Sequence, residues 1–225
     1  MSEYVPPKKT ALDHVKMRLR GTPYVEGDWK SPELTFGMFA GHPQILVWSE
    51  HPSELNKLDH RGKPLHKIPI KASTNINYLQ AIFEDMTSMI GSSEPVSKIL
   101  RTLTIPRDPN TNEPIRGNKV AQAKIIYGRN PEGYLFFEIR NEGRPVMSFP
   151  IRNDGWHEFD GDFVTDNKAK ESDWIARGFL KQLSFVYSEV FVDSYDPDFK
   201  TVAQKKAAEL AKELKAAGSA EGNWA

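Results

Sequence analysis

The chain contains no cysteine among its 225 residues, which excludes disulfide frameworks, thiolate nucleophiles and cysteine-ligated zinc. No apolar run approaches the roughly 18 residues of a membrane span, and the N-terminus has no apolar signal-peptide core. The signature motifs of phosphate-binding loops, dinucleotide folds, serine hydrolases and zinc proteases are absent as well. We therefore expect a cytosolic protein, without a membrane partner, that is not an enzyme and carries no cofactor.

An excess of charge of one sign is also missing, because 30 basic residues balance 30 acidic ones. A neutral total weakens a nucleic-acid hypothesis without excluding it, since a local patch matters more than the sum. Between residues 97 and 129, seven basic residues stand against two acidic ones. The charge is therefore segregated along the chain. Such a basic segment could contact nucleic acid, or it could simply form a surface that faces solvent.

What the sequence does contain is an internal repeat. Residues 62–71 read GKPLHKIPIK and residues 143–152 read GRPVMSFPIR, with the glycine, both prolines, the isoleucine and both flanking bases in common. Repeats of this kind indicate a duplicated supersecondary unit. The repeat predicts two copies of one sheet-and-helix unit.

Apolar alternation and turn residues predict the first unit. Its strands are expected at 14–20, 34–39, 44–49 and 65–71. A helix capped by Ser73 or Thr74 should follow and run to Met89, with Tyr78, Ile82 and Met86 on its apolar stripe.

The second unit is predicted to have strands at 121–127, 134–140 and 146–152, with a fourth at 156–164. A helix at 171–190 should bury Trp174, Ile175, Phe179, Leu183 and Val186.

The fold class is therefore α+β, with two repeats of an antiparallel sheet of about four strands followed by a helix, plus a C-terminal helix at 200–217. We assign 1–13 as a flexible arm, 14–91 as the first repeat and 92–120 as a connector. Residues 121–195 form the second repeat and 196–225 the C-terminal helix and tail, with both repeats in one compact domain.

Period-two alternation assigns the strand residues to two faces. Tyr134, Phe136, Glu138 and Arg140 are expected on the face opposite to Leu135, Phe137 and Ile139. The outer face then mixes rings with cations, a combination that stacks unpaired bases and follows phosphates. The predicted nucleic-acid-binding residues are Lys63, Lys67, Lys71, Lys124, Tyr127, Arg129, Tyr134, Phe136, Arg140, Arg144 and Arg152.

Two alternatives compete with this hypothesis. The aromatic face could instead pack on a second sheet, on a helix or across a subunit interface, which would make the protein an oligomeric structural or adaptor protein. Asp160, Asp162 and Asp166 could alternatively serve a metal-dependent nuclease, although no second acidic cluster accompanies them. Four histidines between 42 and 66 match no metal-ligand spacing, so solvated loop histidines are favoured there.

The layout of two sheet–helix repeats with rings and bases on an open sheet face resembles that of Whirly and PUR-type single-strand binders. The size, the repeat and the segment GRNPEGYLFFEIRNEGRPVMSFPIR are similar to the Drc family, the single-stranded-DNA-binding RNA polymerase cofactors of podoviruses that carry a giant virion-packaged RNA polymerase. The resemblance covers about residues 14–195.

This resemblance implies single-stranded DNA as the ligand, a phage RNA polymerase as a possible partner in early or middle transcription, and the bacterial host cytoplasm as the location. It brings no catalytic residues. The acidic tail of phage replication binders is missing, since the chain ends in AEGNWA. We also expect a homo-oligomer.

Overall fold

The computed structural model describes residues 10–14, 17–23, 31–39, 41–59, 61–106, 108, 113–115, 117, 119–153 and 167–193. The predicted arm at 1–13 lies mostly outside these ranges. The predicted strand at 156–164, the C-terminal helix at 200–217 and the Asp160, Asp162 and Asp166 cluster lie entirely outside them.

The first unit is an antiparallel four-stranded sheet followed by a helix. Its strands, in spatial order, are β1 (Arg18–Arg20), β2 (Glu33–Phe39), β3 (His42–Trp48) and β4 (Ile70–Ser73). The helix α1 (Ile76–Ser88) begins after Asn75, whose side-chain oxygen accepts hydrogen bonds from the backbone N–H groups of Asn77 and Tyr78. This cap satisfies two of the free donors at the start of the helix, so the helix begins later than predicted from Ser73 or Thr74.

The second unit repeats this architecture. Its strands, in spatial order, are β5 (Val96–Thr104), β6 (Val120–Arg129), β7 (Leu135–Arg140) and β8 (Met147–Pro150), all antiparallel, and the helix is α2 (Lys168–Asp193). Two four-stranded antiparallel sheets, each followed by a helix, confirm the predicted α+β class.

The segment 92–120, predicted to be a connector, contains β5, the first strand of the second sheet. Prolines at 95 and 106 bracket the segment and suggest a loop, but no proline or glycine interrupts the residues between them. β5 therefore pairs with β6 along its whole length. Gly128 permits this pairing, because its φ of 146° suits glycine and a Cβ there would overlap the carbonyl of Val96.

The two copies of the sequence repeat, 62–71 and 143–152, have the same structure only near their first and last residues. Gly62 and Gly143 both adopt positive φ, 75° and 70°, and Ile70 and Ile151 are both fully buried. Between these positions the copies differ, since Leu65–Lys67 forms a 3-10 helix where the second copy has β8. The predicted strand at 65–71 is therefore wrong in its first half, because the backbone N–H groups of Lys67 and Ile68 bond to the local carbonyls of Pro64 and Leu65.

One hydrophobic core lies between the inner faces of the two sheets and the two helices. At its centre the ring of Phe36 contacts the rings of Phe83, Phe137, Phe179 and Tyr187, with centroid separations of 5.7–6.4 Å. These residues come from β2, α1, β7 and α2, so one ring joins both sheets to both helices. Three of the four contacts are edge-to-face, a favourable arrangement of aromatic quadrupoles.

The helices bury fewer of their predicted apolar residues than expected. Tyr78 and Trp174, which hold equivalent places in α1 and α2, were predicted to be in the core but are both exposed. Leu183 is buried as predicted, and Leu79, Phe83 and Leu180 are buried as well. Helical spacing alone does not define which edge of a wide apolar stripe turns inward.

We expect Phe36→Ala to lower the free energy of unfolding by about 3–5 kcal/mol, because it removes a fully buried ring that other elements pack around. Phe39→Ala in the same strand is the matched control, since Phe39 is 66% exposed and its truncation should cost no more than about 0.5 kcal/mol. Urea unfolding followed by far-UV circular dichroism measures both. Equal losses in the two variants would contradict the central position of Phe36.

Candidate nucleic-acid interface

The structure divides the eleven predicted contact residues into two groups. Six carry an exposed cation at the surface, namely Lys63, Lys67, Lys71, Lys124, Arg140 and Arg152. The other five are buried or half-buried, namely Tyr127, Arg129, Tyr134, Phe136 and Arg144. Only the first group is available to a ligand in this structure.

Arg129 is a buried structural residue. Its guanidinium donates hydrogen bonds to the carbonyl of Gly133, to the carbonyl of Met89 at 3.0 Å, and to the carboxylate of Asp173. Asp173 also accepts a hydrogen bond at 2.9 Å from the backbone N–H of Gly91. Met89 caps α1 and Asp173 lies in the first part of α2, so Arg129 joins both helices to the second sheet. Its side chain is 1% exposed and is therefore not at the surface, where the predicted contact with nucleic acid would need it.

Arg144 has a similar role between the two repeats. Its guanidinium forms an ion pair with Glu54, a buried carboxylate, and donates hydrogen bonds to the carbonyls of Leu65 and Ile68 at 3.2 and 2.8 Å. Burial of both partners is tolerated because the pair is satisfied by several hydrogen bonds. The turn before β8 is thereby fixed to the loop before β4, so Arg144 is not a surface cation.

Tyr127 lies on the inner face of β6, opposite to the predicted side. Its hydroxyl donates a hydrogen bond at 2.9 Å to Asp85 of α1, and the Lys98 ammonium contacts the same carboxylate at 2.6 Å. Burial first, and then the hydrogen bond and charge of Asp85, raise the pKa of Tyr127 to about 12. Burial alone would raise the pKa of Asp85, but the hydrogen bonds from Lys98 and Tyr127 hold it below its usual value.

Tyr134 and Phe136 lie on the predicted outer side of β7 but are not open to solvent. Their side chains are only 9% and 7% exposed. The ammonium of Lys168 lies 5.7 Å from the centre of the Tyr134 ring, and burial raises the pKa of the phenol, followed by the negative charge of Glu171. Flat rings that are covered cannot stack on a base in this structure, so the predicted exposure of these two rings is wrong.

A row of three cations crosses the outer face of the second sheet. Arg101 on β5 pairs in register with Lys124 on β6, and Lys124 pairs with Arg140 on β7. All three are exposed. We call these residues the cation row. Neighbouring strands lie about 4.8 Å apart, so the row extends over roughly 10 Å.

The cation row is only partly neutralised. Arg140 forms an ion pair with Glu138, two residues away on the same strand. Arg101 and Lys124 form no ion pair with any residue in the part of the chain that the structure describes. Like charges directly opposite each other on adjacent strands are destabilising. Such an arrangement is relieved by an anion bound above the sheet.

Apolar side chains flank the row. Ile99 and Leu103 lie on either side of Arg101 on the same face of β5 and are 56% and 57% exposed, and Val146 is also exposed. The outer face therefore combines positive charge with exposed aliphatic side chains, whereas rings were predicted beside the cations.

Two exposed rings that were not among the predicted residues lie on the outer face of the first sheet. Trp48 on β3 is 45% exposed and stands in one register row with Glu33 and Arg20, while Phe39 lies at the other end of β2. Strand alternation could have identified both rings. Leu34 and Phe36 on β2 and Ile45 and Val47 on β3 face the core. Phe39 lies three residues after Phe36 and Trp48 one residue after Val47, so both fall on the opposite, outer face.

No group of three or more potential metal ligands occurs within the described ranges. Across the same residues, no helix is both long and apolar enough to cross a membrane. No protein-family model, curated protein or solved structure matches the chain.

We expect Arg129→Met to reduce the free energy of unfolding by about 3 kcal/mol or more, because it removes the guanidinium that neutralises the half-buried Asp173 and donates to the carbonyls of Gly133 and Met89. Arg152→Met is the control for loss of one cation at an exposed position and should change stability by no more than about 0.5 kcal/mol. Chemical denaturation measures both variants. A small effect of Arg129→Met would contradict the structural role assigned to it.

The raised pKa of Tyr127 predicts a pH-dependent contribution to stability. The unfolded phenol ionises near pH 10 and the folded one near pH 12, so the neutral, hydrogen-bonded form stabilises the fold below pH 10 and loses this contribution as the pH rises to about 12. The difference in unfolding free energy between the native protein and Tyr127→Phe should therefore be constant from pH 7 to 9.5 and shrink above pH 10. A difference that stays constant up to pH 12 would contradict this assignment.

Proposed function

We propose that this protein binds single-stranded DNA without catalysing a reaction, and that the cation row on the outer face of the second sheet contacts the phosphates. The observation that carries the proposal is the register of Arg101, Lys124 and Arg140, which places three exposed cations side by side across three strands. The stacking role predicted for Tyr134 and Phe136 is not part of the proposal, because their rings are covered.

The charge arrangement supports a polyanion as ligand. Arg101 and Lys124 repel each other across the β5–β6 pair, with no carboxylate in contact among the described residues. A phosphate backbone brings several negative charges at regular spacing, and its condensed counterions are released on binding. Relief of the repulsion and release of counterions both favour the bound state.

The apolar surface beside the row favours a single strand over a duplex. Ile99, Leu103 and Val146 present aliphatic surface next to the cations. Unpaired bases expose flat apolar faces that can pack there, whereas in a duplex these faces are covered by neighbouring base pairs. Trp48 and Phe39 offer two further exposed rings on the first sheet.

The finer parts of the proposal rest on the resemblance to the Drc family. They are a preference for DNA over RNA, service to a phage RNA polymerase in early or middle transcription, and action in the cytoplasm of a bacterial host. The alternative, an oligomeric structural protein without nucleic-acid binding, predicts no interaction with oligonucleotides at all.

Replacing two residues of the cation row tests the proposal. Arg101→Gln combined with Lys124→Gln should weaken binding to an oligo-dT probe roughly tenfold at about 0.1 M salt and lower the slope of log affinity against log salt by about 1.4. Fluorescence anisotropy at several salt concentrations measures both quantities.

Lys170→Gln combined with Lys181→Gln is the matched control, because it removes the same charge from exposed positions on α2. This control should bind within about twofold of the native protein. Equal weakening of oligo-dT binding in both double variants would show that the cation row is not part of the interface. Absence of oligo-dT binding by the native protein at micromolar concentration would contradict the proposed function.

A further inference from the structure

Among the described residues, β5 is an edge strand without a second pairing partner. β1 lies beside β8, and β4 lies beside β6 and β7, so both edge strands of the first sheet and β8 of the second have neighbours in the other sheet. β5 pairs with β6 on one side, and no strand of the described part pairs with its other side. A row of backbone donors and acceptors is therefore available to another chain.

The sequence of β5 lacks most of the features that protect open edges. Its nine residues contain no proline and no acidic residue, and Ile99 and Leu103 are more than half exposed. Lys98 is neutralised by Asp85, and Arg101, the other charge of this strand, forms no ion pair with any residue that the structure describes. Soluble proteins normally protect such an edge with charges, proline or a bulge, and the bulge here lies in β6 at Gln122, so β5 itself stays regular.

We infer that β5 pairs antiparallel with β5 of a second copy, so that the two second sheets form one continuous eight-stranded sheet. The strand is self-complementary in the register that places Arg101 on the two-fold axis. Ile99 then lies directly opposite Leu103 of the second copy, and Leu103 opposite its Ile99. All four exposed aliphatic side chains meet in cross-strand pairs, which stabilise antiparallel sheets.

This pairing also joins the two cation rows, and here the inference rests on the proposed function. A two-fold axis perpendicular to the sheet keeps both outer faces on the same side. The rows then run from Arg140 to Arg101 and on through the second copy, across six strands and about 24 Å. The proposed single-stranded ligand thus gains a track twice as long as one copy offers.

The same register places two Arg101 side chains opposite each other. This repulsion weakens the dimer when no anion is bound, and a phosphate backbone over the axis relieves it. DNA binding and dimerisation are therefore coupled, each favouring the other. Salt has opposite effects on the two steps, since it screens the Arg101 pair in the free dimer and weakens the contacts with phosphate.

Light scattering over a range of protein concentrations, with and without oligo-dT, tests the inference. The native protein should dimerise more tightly with oligo-dT than without it, and more tightly at 0.5 M than at 0.05 M salt when DNA is absent. Arg101→Gln should tighten the DNA-free dimer by up to about fivefold while weakening DNA binding. A monomer at every concentration, with and without DNA, overturns the inference.

Substitutions of the edge residues locate the contact. Ile99→Lys combined with Leu103→Lys should keep the protein monomeric, while the two added cations preserve salt-dependent DNA binding. Leu55→Lys combined with Leu58→Lys is the control, because it changes two exposed leucines of the loop after β3 and should leave dimerisation unchanged. Circular dichroism verifies that both variants are folded. A dimer that survives the edge substitutions overturns the inference.

Cysteine cross-linking tests the register, and the absence of native cysteine gives it a clean background. Arg101→Cys should form an intermolecular disulfide on mild oxidation, because the two side chains share the axis at a Cβ separation of about 4.5–5.5 Å. Thr104→Cys should not cross-link, since it lies opposite Lys98 of the second copy. Cross-linking of Thr104→Cys but not of Arg101→Cys overturns this register.

The outcomes separate the inference from the proposed function. Native protein that binds oligo-dT but never dimerises overturns the edge pairing and leaves the cation row intact. Cross-linking of the Arg101→Cys variant, together with native protein that binds no oligonucleotide, supports the edge pairing and overturns the proposed function. Native protein that stays monomeric but binds an unrelated extended peptide at the edge of β5 would identify another chain as the occupant and overturn the pairing of two copies.

Discussion

The ring of Phe36 touches four other rings, and those rings belong to the other sheet and to both helices. A four-stranded sheet with one apolar face cannot remain alone in water, because that face must be covered. Here each sheet turns its inner face toward the same helix pair, and the aromatic cluster occupies the place where the four elements meet. The two sequence repeats therefore form one core and are not two independent domains.

Arg129 and Arg144 extend this constraint beyond the apolar core. Arg129 donates to the carbonyl of Met89 at the end of α1, Arg144 donates to the carbonyl of Ile68, and each arginine is neutralised by a carboxylate from a different element. A buried arginine is tolerated only when nearly all its donors are satisfied. Arg129 and Arg144 would suit a phosphate-binding surface, but here they fix the ends of the helices and the turns next to the strands.

The remaining exposed cations matter because of their register. Three of them form one line across β5, β6 and β7, although they are separated by up to 39 residues in the chain from Arg101 to Arg140. The line ends at an edge strand with exposed aliphatic side chains. Ligand binding and self-association, which the sequence presents as competing explanations of one face, use neighbouring positions in the two proposals and are complementary there.

The sequence by itself determined the duplicated α+β layout, the two helices, the turn at Gly143, and the alternation that separates Leu135, Phe137 and Ile139 from their neighbours. These features depend on local periodicity and on backbone angles that only certain residues adopt. It did not reveal β5, because prolines on both sides of a strand resemble a loop until its partner β6 is known.

Tertiary structure alone decided which cations and rings are exposed. Tyr127 is half-buried where its hydroxyl meets Asp85 of α1, and Arg129 is buried because Met89 and Asp173 approach it from two helices. None of these partners is near in sequence. Alternation can assign a residue to a face, but whether that face meets solvent depends on what distant segments place against it, and this is a property of the packed chain.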